Sequence, residues 1–174
     1  MLATAPNTLI TTYLEMTNPR QFQPSFKQTD SVRVERMEEV DLGFYRYLYK
    51  SVGEDYRWRD RLVMSKSELR AVLESNKTHV FVLYVHGAPV GYVELNQQGK
   101  STEIAYFGLR KEYHGRGLGK HLLSYGIQKA WELGAERIWL HTCNLDGTHA
   151  LSNYRKRGFQ QYKEEREPMP ELYQ

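Results

Sequence analysis

The chain has 174 residues, of which 40% are apolar and 26% charged, and a net charge of +3. That length supports one domain with a substantial core, and that balance excludes the disordered and fibrous classes. So mild a charge makes no case for a nucleic-acid binder; the lone Cys143 allows no internal disulfide and fits a reducing compartment, and no stretch approaches the ~20 apolar residues of a membrane span.

The first residues, MLATAPNTLI, lack a charged segment followed by a long apolar one, so no signal peptide is expected and a cytoplasmic protein is. Thr8 to Met16 is β-prone and reads as a short strand; Asn18 to Asp30, with Pro19 and Pro24, reads as a loop. Ser31 to Met37 alternates as a half-buried strand. Asp41 can cap a helix carrying Leu42, Tyr45, Leu48, Tyr49 and Val52 on one face, and Gly53 ends it. Glu54 to Met64 has no clean period. Ser65 then opens a helix through the capping box Ser65-Lys66-Ser67-Glu68.

Two strands follow, His79 to Val85 and Val90 to Leu95, joined by the turn His86-Gly87-Ala88-Pro89. The next stretch, Glu103 to Leu123, organises the rest. It starts as an apolar strand, breaks at Lys111-Glu112-Tyr113, and passes Gly115, Gly117 and Gly119. It continues as a helix with small or apolar residues at 3–4 spacing, from Gly119 through Leu122, Leu123, Gly126 and Ile127 to Ala130. A strand that runs through a glycine turn into a helix leaves backbone N–H groups free at the positive end of the helix dipole, which is an anion site. Arg116, Lys120 and His121 would add charge there, and the turn reads as a pyrophosphate cradle. Gly134 stops the helix, Arg137 to Thr142 is a strand, and Asp146 or Thr148 opens a helix through Arg157. Phe159 to Lys163 is a last strand, and Glu164 to Gln174, with its two prolines, reads as surface chain. Strands joined by single helices, with one hairpin, make an α/β fold with a mixed sheet. No internal repeat or linker divides it.

Neither the dinucleotide fingerprint nor the Walker A loop fits the glycine turn: the third glycine comes one residue early, and Gly119-Lys120 is followed by His121. His114, Gly117 and Gly119 instead match [QR]-x-x-G-x-[GA], with His at the Gln/Arg position. Ala150 to Phe159 matches A-x-x-x-Y-x-x-x-G-F. With these two motifs, roughly Val32 to Phe159 resembles the GNAT superfamily of N-acetyltransferases. The resemblance implies a mixed, mostly antiparallel sheet flanked by helices. It implies a single domain over 1–174, with a core at about 32–163 and an N-terminal strand and loop at 1–31. That fold normally closes with a β-hairpin after the last helix. Pro168 and Pro170 argue against a long second strand here, so the extra strand Thr8 to Met16 is expected at the edge.

The same resemblance implies acetyl-CoA as co-substrate and an amine acceptor, with a non-catalytic acyl-CoA-binding module as the rival reading. Backbone groups of Phe107, Gly108 and Leu109 would pair with the pantetheine, and Asn144 would face it. The turn from His114 through Gly115, Arg116, Gly117, Leu118 and Gly119 to Lys120 would hold the diphosphate. Glu103 stands where histone-type members carry the general base, Glu94 on the neighbouring strand is a second candidate, and Tyr154 is the candidate acid. An alkylammonium near pKa ~10 needs such a base, since about 4 kcal/mol separates it from its reactive form at neutral pH. The acceptor cleft would lie at Phe44 to Arg61, where Tyr45, Tyr49, Tyr56 and Trp58 accompany acids and arginines. A small-molecule amine is favoured over a peptide; a homodimer is compatible with the chain, and neither nucleic acid nor membrane is expected. No Cys, His and carboxylate spacing suggests a metal.

Overall fold

The computed structural model describes residues 5–27 and 29–174. The first four residues of the segment read for a signal peptide, and Gln28 of the loop read at Asn18 to Asp30, lie outside them. Seven strands form one mixed sheet in the order β2-β3-β4-β5-β6-β1-β7, taking β1 as Thr8–Met16, β2 as Val32–Arg36, β3 as Thr78–Val85, β4 as Ala88–Gln98, β5 as Ser101–Leu109, β6 as Arg137–Cys143 and β7 as Gln160–Pro168. Only β5 and β6 run parallel; every other neighbouring pair is antiparallel.

Helices cover both faces. Helix α1 (Leu42–Gly53) starts where Asp41 Oδ1 accepts from the Phe44 N–H at 2.9 Å. Helix α3 (Lys66–Leu73) starts at a reciprocal capping box between Ser65 and Glu68, as the sequence predicts. Between them Glu54 to Met64 resolves into a 3-10 turn and the single-turn helix α2 (Asp60–Val63). Tyr45, Leu48, Tyr49, Val52, Leu69 and Leu73 pack this layer onto Val80, Val82 and Tyr92. On the opposite face α4 (Leu118–Glu132) buries Leu118, Leu122, Leu123, Gly126, Ile127 and Ala130. At Gly126 an added Cβ would stand 2.9 Å from the Val93 side chain, so the helix lies against the sheet only because that residue has none. Helix α5 (Ala150–Lys156) completes this layer with Tyr154.

Three expectations are corrected. The β3–β4 turn is the two-residue loop His86-Gly87, with φ of 49° and 84°, so Val85 pairs directly with Ala88 and the surplus residue is absorbed as a bulge. Second, β1 is not an edge strand: it pairs with β6 on one side and β7 on the other. Its Leu14 and Met16 are fully buried, an interior burial that the weak alternation of Thr8 to Met16 did not announce. It takes the place beside β7 that a hairpin partner would have filled. Third, the last strand runs on to Pro168 rather than stopping at Lys163. All of β7 is exposed, and its Lys163, Glu164, Glu165, Arg166 and Glu167 are the charged guard of an open sheet edge.

A candidate active site in the splay between β5 and β6

Two irregularities in β5 build the site. The first is a bulge at Ala105: Glu94 pairs with Tyr106 but Leu95 with Ile104. Ile104 therefore packs with the α4 layer while Tyr106, two residues on, packs with the α1 layer. Gly108 also faces the α1 layer, where a Cβ would stand 2.5 Å from Val52, while Phe107 packs with the α4 layer and Leu109 is buried in it. The second is that β5 and β6 pair only at Ser101–Glu103 with Arg137–Trp139. Beyond that they diverge, so from Ile104 to Leu109 the β6-facing edge of β5 has no strand beside it.

A cleft of about 1240 Å³ fills this splay. Glu103, Tyr106, Phe107, Gly108 and Leu109 form one wall, and His141, Cys143, Asp146 and Tyr154 the other. At its α4 end lie His114, Gly115, Gly117, Leu118, Gly119 and Lys120. Gly115 and Gly117 hold φ of 75° and 72°, so the turn needs glycine at both. No side chain caps α4 at Gly117, which leaves its first N–H groups directed at the cleft. The His114 ring bonds the Leu109 carbonyl at 3.1 Å, tying the turn to the end of β5.

The carboxylates divide. Glu103 lines the cleft; its Oε2 accepts from Gln98 Nε2 at 3.0 Å and its Oε1 is 3.9 Å from His141 Nε2. Burial raises its pKa above the ordinary carboxylate value, against the opposing pull of His141 and the Gln98 bond. Glu94 is fully buried: Tyr45 donates to Oε2 at 2.5 Å and Arg61 to Oε1 at 2.6 Å. With both oxygens engaged and no place in the cleft lining, Glu94 reads as the anchor that holds Arg61 against the ring of Tyr106, 5.2 Å away. Tyr154 lines the cleft with its ring edge-on to Phe107 and Phe159, and burial pushes its phenol well above the usual range. Cys143 is likewise pushed up by burial, to about 11, which keeps it a poor nucleophile.

Other expected residues fall elsewhere. The side chain of Asn144 is spent on β1, accepting from the Ile10 N–H and donating to the Thr8 carbonyl, both at 2.9 Å, and does not face the cleft. Asn153 of α5 lines it instead. Arg116 turns back onto the Glu112 carbonyl and the Tyr113 ring. His121 accepts from the Lys27 N–H at 3.1 Å, so it braces the N-terminal segment rather than adding charge to the turn. Among the four aromatics of the acceptor stretch, Tyr56 and Trp58 line the cleft, but Tyr45 and Tyr49 are fully buried behind it. Asp146 does not cap α5. Its Oδ2 accepts from Thr142 Oγ1 at 2.6 Å and the Cys143 N–H at 3.0 Å, and its Oδ1 from Trp58 Nε1 at 3.4 Å. Tyr106, Asp146 and Tyr173 were not foreseen as lining residues. A bulge, a cross-cleft bond and a segment that folds back after β7 carry no local sequence signal. Among the described residues, no group of three or more His, Cys, Asp or Glu could hold a metal ion, and no helix is long and apolar enough to cross a membrane.

Comparison with known proteins gives this arrangement a context. The model of the acetyltransferase (GNAT) family matches residues 35–159. A mycothiol acetyltransferase of Corynebacterium aurimucosum is 35% identical over 80 residues, 42% of this chain and 26% of that protein. An uncharacterised N-acetyltransferase of Bacillus subtilis is 37% identical over 68 residues, 39% of this chain and 43% of that one. The chain thus spans less than half the length of these curated relatives. Among solved structures, a GCN5-related N-acetyltransferase from Sphaerobacter thermophilus superposes with a TM-score of 0.67 at 16% identity, over 94% of this chain and 52% of that one. An aminoglycoside acetyltransferase from a soil metagenomic sample, solved with sisomicin, superposes with a TM-score of 0.61 at 21% identity, over 74% of this chain and 88% of that one. At such identities the superpositions show the fold.

Proposed function

Because the chain belongs to the acetyltransferase (GNAT) family, we propose that it moves the acetyl group of acetyl-CoA to a primary amine by direct attack in a ternary complex. The single observation that carries this reading is the shared cleft. The uncapped start of α4, the unpartnered edge of β5, Glu103 and Tyr154 all open onto it. The residues fit the co-substrate. The turn from His114 to Lys120 offers backbone donors for a diphosphate, and the free edge at Phe107 to Leu109 offers the pairing a further strand would take, as a pantetheine can. Acetyl-CoA supplies an activated thioester; the chain's own residues supply the proton movements.

In this reading Glu103 takes the proton of the acceptor ammonium, so that the nitrogen lone pair can attack the thioester carbon. The carbon–sulfur bond then breaks, the Tyr154 phenol gives its proton to the leaving sulfur, and the surplus proton on the nitrogen returns to Tyr154, leaving the amide, the free thiol and a protonated Glu103. A carboxylate whose pKa burial has raised is the better base for an amine, because the gap between the two is narrower. Burial keeps the Tyr154 phenol protonated at neutral pH and also makes it a weaker acid, so its transfer to sulfur has to be coupled to the return of the nitrogen's proton. The rings of Tyr56 and Trp58 with Glu103 suit a cationic amine, while Arg57 and Arg61 at the same end suit a carboxylate on an acceptor that carries one; we place that acceptor among small primary amines. Acetyl-CoA chemistry of this kind fits a cytoplasmic protein. A thiol-release assay with acetyl-CoA and a panel of primary amines tests the proposal. Release that depends on the amine is the expected result; tight acetyl-CoA binding with no turnover of any amine would make the chain a carrier module instead.

A further inference from the structure

After β7 the chain does not leave the sheet. The Met169 N–H donates to the Asn7 carbonyl at 2.9 Å and the Met169 side chain is buried, which turns the chain back across the ends of β1 and β6. Gln174 Nε2 closes the turn on the Met169 carbonyl at 3.0 Å. The 3-10 turn Glu171–Tyr173 that results sits over the splay, and Tyr173 is one of the residues lining the cleft. Its hydroxyl bonds both oxygens of Asp60, at 3.1 and 3.3 Å, and its carbonyl accepts from Arg57 Nη1 at 2.9 Å. Arg57 itself stands at φ 60°, a conformation uncommon for a residue with a side chain. The segment therefore spans from the far edge of the sheet to the α1–α2 connection, on the side where Trp58 and Tyr106 stand.

We propose that Tyr173 is a specificity-determining residue: latched to Asp60, its ring narrows the acceptor end of the cleft so that a slender alkylamine enters and a broad one does not. The proposal rests on the functional reading above for the identity of that end, and it assigns the selection to the strap Met169–Gln174. Two further contacts limit the same opening from the side. Trp58 reaches Asp146, and a Cβ on Gly147 would stand 3.3 Å from the Tyr56 hydroxyl. Tyr173 is the member of this lining carried by the segment that follows β7.

The test compares two amines of equal charge and different girth, n-butylamine and cyclohexylmethylamine, titrated by ligand-observed NMR into the full chain saturated with CoA. The wild-type protein is expected to bind the slender amine roughly tenfold more tightly than the broad one, the order of discrimination that a steric difference of a methylene or more gives. Tyr173→Ala should bring the ratio close to one, and Tyr173→Phe, which keeps the ring but loses the latch, should fall between. CoA affinity should be the same in all three. Equal ratios in wild type and Tyr173→Ala, or no binding of either amine to the wild type, would overturn the proposal. Should Tyr173→Ala not fold, a Tyr173→Phe ratio indistinguishable from wild type overturns it as well. Failure of CoA to bind the wild type would strike the functional reading instead, and amine discrimination is then read on the free protein.

Discussion

Glu103 holds its place in the cleft at a cost. Its folded-state pKa lies above the unfolded one because burial disfavours the charged form. The folded protein thus binds this proton more tightly, so its contribution is most favourable below the unfolded pKa. It declines as pH rises through the folded pKa, and at neutral pH the ionised group is a net burden. Glu103→Gln should therefore raise the melting temperature at pH 7 while lowering kcat by about 10²–10⁴-fold, with acetyl-CoA affinity unchanged. Its loss should also remove the acid limb of the pH–rate profile, which in the wild type lies above the ordinary carboxylate range. A melting scan and a pH–rate series on one variant check both. At the other end of the proton path, Tyr154→Phe should lower kcat by about 10²-fold with little change in acetyl-CoA affinity. Burial holds the Tyr154 phenol far above neutral pH, so its ionisation should not set the basic limb in the wild type. An equal loss in affinity and kcat, read by calorimetry beside steady-state kinetics, would mark the ring as packing alone.

Elements decide where such residues can act. On the proposed reading the start of α4 takes the diphosphate: Gly117 stands at φ 72° and no side chain covers the first N–H groups. Gly117→Glu would force a side chain into a conformation costing on the order of 1–2 kcal/mol and would place a carboxylate against the diphosphate. Calorimetry with acetyl-CoA should show no measurable binding to a chain that still folds. The inserted β1 has the opposite character: it brings no candidate catalytic group but fills the gap between β6 and β7. Leu14 is completely buried there, and Leu14→Ala should cost about 2–5 kcal/mol. A melting point lower by on the order of 10 °C, with wild-type acetyl-CoA affinity at low temperature, is the expected result. The placement of Asn144 follows from the same element. Once β1 pairs with β6, the Asn144 amide meets the backbone of Thr8 and Ile10, and Asn153 on α5 faces the cleft in its stead.

Across the whole molecule, the cleft joins parts remote in the chain: β1, the α1–α2 connection, β5, α4, the β6–α5 loop and the strap. A ligand that binds only the folded chain stabilises it, so acetyl-CoA should do so by about 2.7 kcal/mol at a hundredfold excess over Kd. A rise in melting temperature that tracks acetyl-CoA concentration, and is absent in Gly117→Glu, checks that linkage. The sequence by itself determined what short-range physics writes into it. Helix periods placed α1, α3 and α4, the box at Ser65 and Glu68 and the cap at Asp41 marked the starts of α3 and α1, and alternate glycines after an apolar strand announced the turn into α4. It determined the family as well, since His114 to Gly119 and Ala150 to Phe159 are local patterns. Only the tertiary structure decided that β1 lies inside the sheet, that Glu94 is locked by Arg61 and Tyr45 while Glu103 lines the cleft, and that Tyr173 returns to line it too. Each of those depends on which distant segment comes to lie alongside, and a residue's own neighbours in the chain carry no record of that.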